Sequence, residues 1–137
     1  MLLLPFSYFH KFNKKGKYTI LYIFKKNINN TNYIFFGCSS LTKIDLTNFN
    51  SSNVTNMISM FNGCSSLQDM NLTNLKTNSV KDMSGMFCEC SSLTKINLSN
   101  FNTNNVEDIW GMFDECKHLT KNNIIAKDKR ILNEFKI

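Results

Sequence analysis

The chain has 137 residues, 42% of them hydrophobic, and carries 16 lysines and arginines against 10 aspartates and glutamates, for a formal net charge of +6. That length suits one domain with a substantial core, and no apolar run approaches the ~20 residues of a membrane-spanning helix. Residues 1–34 hold six lysines and no acid, residues 35–112 four lysines and six acids, and residues 113–137 six basic and four acidic residues, so the positive charge sits on the ends and no Lys/Arg stripe offers the footprint of a nucleic-acid binder.

In chain order, the opening MLLLPFSYF is apolar for fewer than ten residues and contains Pro5. It lacks a leading positive charge and a small-residue cleavage site, so it does not read as a signal peptide. The remainder is organised by a repeat. Cys38, Cys64, Cys90 and Cys116 lie 26 residues apart, each preceded at three residues by phenylalanine (Phe35, Phe61, Phe87, Phe113) and followed at three by leucine (Leu41, Leu67, Leu93, Leu119). Self-similarity at such a period is the mark of a stacked array, in which one unit cannot bury its apolar side alone.

Residues 1–34 read as a degenerate N-terminal unit. One period back, Phe9 aligns with Phe35, Ile20 with Leu46, Ile23 with Phe49 and Ile28 with Val54, while Phe12 stands where later units have cysteine and Lys15 where they have leucine. Residues 35–112 are three full units. In each, the alternation at Ile44 and Leu46 predicts a short strand with one buried face. Val54, Met57, Met60 and Phe61 then recur at three- and four-residue steps, which predicts a helical or 3₁₀ turn. Residues 113–137 are a partial fourth unit whose strand pattern fades, because Asn122 stands where earlier units have Ile44, Met70 and Ile96. Asp128–Phe135 predicts a capping helix, with Asp128 as N-cap and Ile131, Leu132 and Phe135 on one face. The expected fold class is therefore a repeat solenoid.

The stretches FNGCSSL, NLTNLKTNSVKDMSGMF and CSSLTKINLSNFNTNNVEDIWGMF resemble the 26-residue units of BspA-like surface proteins, a leucine-rich-repeat-like family that includes domains of unknown function. The resemblance covers about residues 35–125. It implies an irregular leucine-rich-repeat-like stack and a non-catalytic adhesion module on a cell surface or in secreted form, binding protein partners. It implies no cofactor and no catalytic residues. An intracellular scaffold of the same fold is the alternative reading.

Candidate chemistry is sparse. His10 and His118 fall in no triad or metalloenzyme signature. Gly63, Gly85 and Gly111 are isolated and form no phosphate loop. The one metal-like set is Cys88, Cys90, Cys116 and His118, four soft ligands expected in one corner, which would make the protein a zinc-binding regulator. Against it, Cys90 and Cys116 belong to the repeated cysteine ladder, expected to be reduced and buried. The candidate protein-binding face is the outward side of the strands. Its columns are Lys43, Asp69, Lys95 and Lys121; Asp45, Asn71, Asn97 and Asn123; Thr47, Thr73, Ser99 and Ile125. Cross-strand pairing of Lys43, Asp69 and Lys95, and hydroxyls bonding along their own column, would explain the same pattern without a partner. Trp110, where other units have Ile58 and Ser84, is the aromatic that breaks the pattern. It belongs to the candidate protein-binding face as an exposed anchor, or else it packs against the closing helix.

Overall fold

A computed structural model of the chain describes residues 2–3, 16, 20–21 and 28–135. Phe9, Phe12, Lys15 and Ile23, which carry the alignment of a degenerate first unit, lie outside the described residues, as does His10. From residue 28 onward, successive units lie side by side in parallel. Strand β1 (Leu2–Leu3) pairs with β2 (Ile20–Leu21). Strand β3 (Lys43–Asp45) pairs with β4 (Asp69–Asn71), and β5 (Ile96–Asn97) with β6 (Ile124–Ile125). On the other side of each unit, parallel bridges join Asn30 to Asn56, Asn56 to Asp82 and Asp82 to Asp108.

Between these two sides lies a continuous core. Phe35, Phe61, Phe87 and Phe113 stack ring on ring, with centroids 5.5, 5.7 and 6.0 Å apart and interplanar angles of 9° or less. Leu67, Leu93, Leu72, Leu98, Met57, Met83, Met60 and Met86 fill the rest. Fully burying each such side chain contributes about 1.5–3 kcal/mol. Leu72 and Leu98 are buried beside their strands, as alternation across a pleat requires.

The segment read from its spacing as a helical turn is instead a run of linked turns. From Met57 to Gly63 every second N–H leaves the unit: Met57, Ser59, Phe61 and Gly63 donate to the carbonyls of Asp82, Ser84, Met86 and Cys88 at 2.9–3.0 Å. The N–H groups of Met60, Asn62 and Cys64 close local turns onto Met57, Ser59 and Phe61. A helix would direct its N–H groups, after the first turn, to carbonyls four residues back in the same segment. The run of turns keeps the three- and four-residue apolar steps and still bonds the neighbouring unit. It needs two left-handed residues four apart, Ser59 (φ 49°) and Gly63 (φ 75°), and the next units place Gly85, Glu89, Gly111 and Glu115 there.

A buried hydroxyl column stitches the corners. Thr77, fully buried, donates from Oγ1 to the Asn102 carbonyl at 3.0 Å and accepts the Asn102 N–H at 2.8 Å. Ser51 makes the same pair of bonds with Lys76. Thr103 meets the fourth unit through a side chain instead of a backbone carbonyl, its hydroxyl donating to the Asp128 carboxylate. Helix α1 (Lys129–Asn133) is shorter than the Asp128–Phe135 span predicted for it. Asp128 caps it by accepting the Arg130 N–H at 2.9 Å, and the Arg130 guanidinium donates to the carbonyls of Thr103 and Val106. Ile131 is buried, and the ring of Phe135 lies 6.3 Å from that of Phe113.

The fourth unit corrects the sequence alignment. Ile124, not Asn122, pairs with Ile96, and Ile125 pairs with Asn97. A 3₁₀ turn at Lys121–Asn123 takes up the two extra residues, so the strand persists where the 26-residue register suggested that it fades. Burial of Ile124 decides this, since Asn122 in its place would leave an amide without water.

Candidate protein-binding face

The strand side is built by the pleat: buried Ile44 and Leu46 fix Lys43, Asp45 and Thr47 on the other face. The predicted columns lie there in units one to three, and each is largely occupied with itself. Lys43 Nζ lies 2.7 Å from Asp69 Oδ2 across the β3–β4 register, both well exposed. The hydrogen bond and charge of Asp69 hold the Lys43 ammonium above its ordinary value. Among the described residues Lys95 makes no such pair. Asp45 accepts the Thr47 hydroxyl at 2.6 Å and the Thr47 N–H at 2.9 Å, which pull its carboxyl below the usual range. Asn71 does the same for Thr73 at 2.7 and 3.2 Å, and Asn97 accepts the Ser99 N–H at 3.0 Å.

The hydroxyls therefore do not bond along their own column. Those of Thr47 and Thr73 turn back to the Asp or Asn two residues before them, and Asn71 Nδ2 bridges to Thr47 Oγ1 at 2.8 Å. Ser99 is engaged through its backbone. In the fourth unit the two-residue shift removes Lys121 and Asn123 from the columns and puts exposed Ile125 opposite Asn97. An open groove of about 440 Å³ runs between β4 and β5, lined by Asn71, Thr73, Asn97, Ser99 and Asn100. The side chain of Asn100 closes its floor, donating from Nδ2 to the carbonyls of Leu72 and Leu75 at 3.0 and 2.9 Å.

Trp110 stands away from these columns, on the turn side, and is 66% exposed. It does not pack under the closing helix. Its N–H is held by Asp108 Oδ1 at 2.8 Å and its carbonyl accepts the Gly85 N–H. Trp110 thus falls outside the strand face to which the repeat assigns it. The linked turns place it with Asp82, Asp108 and Asp114 instead.

The zinc set does not converge. Among the described residues no three His, Cys, Asp or Glu side chains gather as a metal site. The thiols of Cys64, Cys90 and Cys116 donate to the carbonyls of Phe35, Phe61 and Phe87 at 3.1, 3.3 and 3.0 Å. Inward-facing thiols in a ladder cannot turn out toward His118, which is exposed and bonds the Ser91 carbonyl through Nδ1. All five cysteines are free. Burial pushes the Cys64 and Cys116 thiols up to about 12 and raises Cys90 further. Cys88 is raised by burial and by the carboxylates of Glu89, Asp114 and Glu115.

These features define a protein of repeated units with polar outward columns. The chain matches, over residues 7–130, the family model described as "Mycoplasma protein of unknown function, DUF285", and it belongs to that family. No curated protein and no solved structure matches it. Among the described residues, no helix is long and apolar enough to cross a membrane.

Proposed function

We propose that the chain is a leucine-rich-repeat-like solenoid and a non-catalytic protein-binding module of adhesion type, as the resemblance to BspA-like surface proteins implies. The observation that supports this best is the pair of outward surfaces that recur unit after unit over a core of stacked phenylalanines, since arrays of this kind bind through extended repeated faces. Two hollows on the strand side are open and lined mainly by Asn, Thr and Ser, which suits shallow contact with a protein better than enclosure of a small ligand.

Each unit adds a modest contact, so apparent affinity rises with copy number. The test compares the chain, as a monomer and as an engineered tandem dimer, for binding to arrayed matrix and cell-surface proteins by surface plasmon resonance. The reading expects micromolar monomer binding and a gain of at least tenfold on dimerisation. Tight monomeric binding of a small molecule, with no gain on dimerisation, refutes it.

A further inference from the structure

We propose that the turn side at residues 82–89 and 108–115 docks a lysine- or arginine-rich segment of a protein partner, with Trp110 as the anchor. This rests on the protein-binding reading above and names the partner's chemistry and the face it meets. The strand columns satisfy one another through Lys43–Asp69, Asp45–Thr47 and Asn71–Thr73. The turn side has such pairs at Asp82–Ser84, Lys81–Glu107 and Lys117–Glu115 and differs in its exposed indole. Trp110 is a large apolar side chain left two-thirds in water, where the equivalent residues are Asn32, Ile58 and Ser84. Exposed tryptophans of this kind are the residues that most often carry interface energy.

The charge around Trp110 selects its occupant. Residues 82–115 hold six acids, Asp82, Glu89, Glu107, Asp108, Asp114 and Glu115, and the one base Lys95. Lys95 belongs to the opposite, strand side, next to β5. Asp108 bridges to Asp82 across the units and holds the Trp110 N–H. The Asp114 carboxylate reaches over Gly111, 2.9 Å from where a Cβ would stand. Lys81 and Lys117 approach only Glu107 and Glu115, at 3.7 Å. In the two preceding turns, at 30–37 and 56–63, the columns of Asp82, Glu89 and Asp114 carry Asn30 and Asn56, Gly37 and Gly63, Phe36 and Asn62, all neutral, while Lys81 and Thr55 stand in the column of Glu107. Most of these acids and the exposed indole therefore fall together in the two turns at 82–89 and 108–115. An indole face beside carboxylates attracts an ammonium or guanidinium above the ring and gives that cation's neighbours acids to meet. The same field repels nucleic acid and anionic lipid.

Trp110 is the only tryptophan in the chain, so its fluorescence reports this face alone. The full chain is titrated with three synthetic 12-residue peptides: alternating Lys-Ser, alternating Glu-Ser, and Gly-Ser. The expected result is a saturable change in emission with the lysine peptide only, its affinity falling at least tenfold between 50 and 300 mM salt. By anisotropy of the labelled lysine peptide, Trp110→Ser, which installs the residue of the preceding unit, and Glu89→Gln with Glu115→Gln should each weaken binding at least fivefold. Lys95→Ser, on the strand side, should leave it unchanged, and circular dichroism checks that each variant is folded. No response to the lysine peptide, an equal response to the glutamate peptide, or full binding by folded Trp110→Ser overturns the proposal. The array experiment separates the two readings: protein ligands that bind Trp110→Ser as well as the parent chain refute this face and leave the binding module standing, while no protein ligand at all refutes the module.

Discussion

Replacing Thr77 by valine tests whether the units are held in register by the buried hydroxyl column as well as by apolar stacking. Valine keeps the shape and removes the oxygen. The Asn102 N–H then loses its 2.8 Å acceptor and the Asn102 carbonyl its 3.0 Å donor, at a site where Thr77 is wholly enclosed. An unsatisfied buried polar group costs about 1–3 kcal/mol. Asn102 is half-buried and recovers some hydration, so the pair should cost about 2–3 kcal/mol in total. Thr77→Ser keeps both bonds and loses one methyl group, for about 1 kcal/mol; Ser51 already occupies the equivalent place with the same bonds. Urea unfolding followed by circular dichroism should place the valine midpoint below the serine midpoint by roughly 0.5–1 M, given slopes of about 1–3 kcal/mol per molar. A valine variant as stable as the serine variant would mean that the column contributes nothing and that apolar packing alone sets the register.

Other expectations concern the core, the turns and the thiols. Leu72→Ala and Leu98→Ala should each lose about 2–5 kcal/mol, against little for exposed Lys95→Ala; equal losses in the same denaturation assay would contradict the strand assignment. Asn71 is a poor neutral control, because its amide bridges Thr47 and Thr73. Gly63→Ala should cost more than about 1 kcal/mol, since its φ of 75° is disfavoured for L residues and a Cβ would stand 3.3 Å from Gly37 Cα; a thermal midpoint unchanged from the parent would refute the turn geometry. Cys64 and Cys116 ionise near 12 when folded, against an ordinary value of 9.0, so the native state binds protons that the unfolded state has released. Their contribution to stability is complete below about pH 9 and is lost as pH rises from there toward about 12. Denaturation midpoints should fall across that window, and native protein at pH 8 should show slow thiol labelling compared with the unfolded chain. Flat midpoints between pH 9 and 11 would place these thiols in water.

The sequence by itself determined what depends on period. The spacing of 26 residues placed phenylalanine above phenylalanine and cysteine above cysteine, because a stacked unit must present the same side chain at the same height. It also placed Leu72 and Leu98 inward, through the alternation of a pleat. Tertiary structure decided three other things. The linked turns replaced a helix because their N–H groups bond the next unit, and a spacing of three and four residues is common to both. Ile124 displaced Asn122 because burial against Ile96, not residue count, selects the register. Trp110 faces water beside Asp108 because left-handed residues at Gly111 and Glu115 set the path of its turn, and the sequence carries no periodic mark of that direction. The hydroxyl column was legible in principle, as Ser51, Thr77 and Thr103 recur at the period. Its role was not, because only the fold shows that these hydroxyls are buried with a neighbouring unit's backbone in reach.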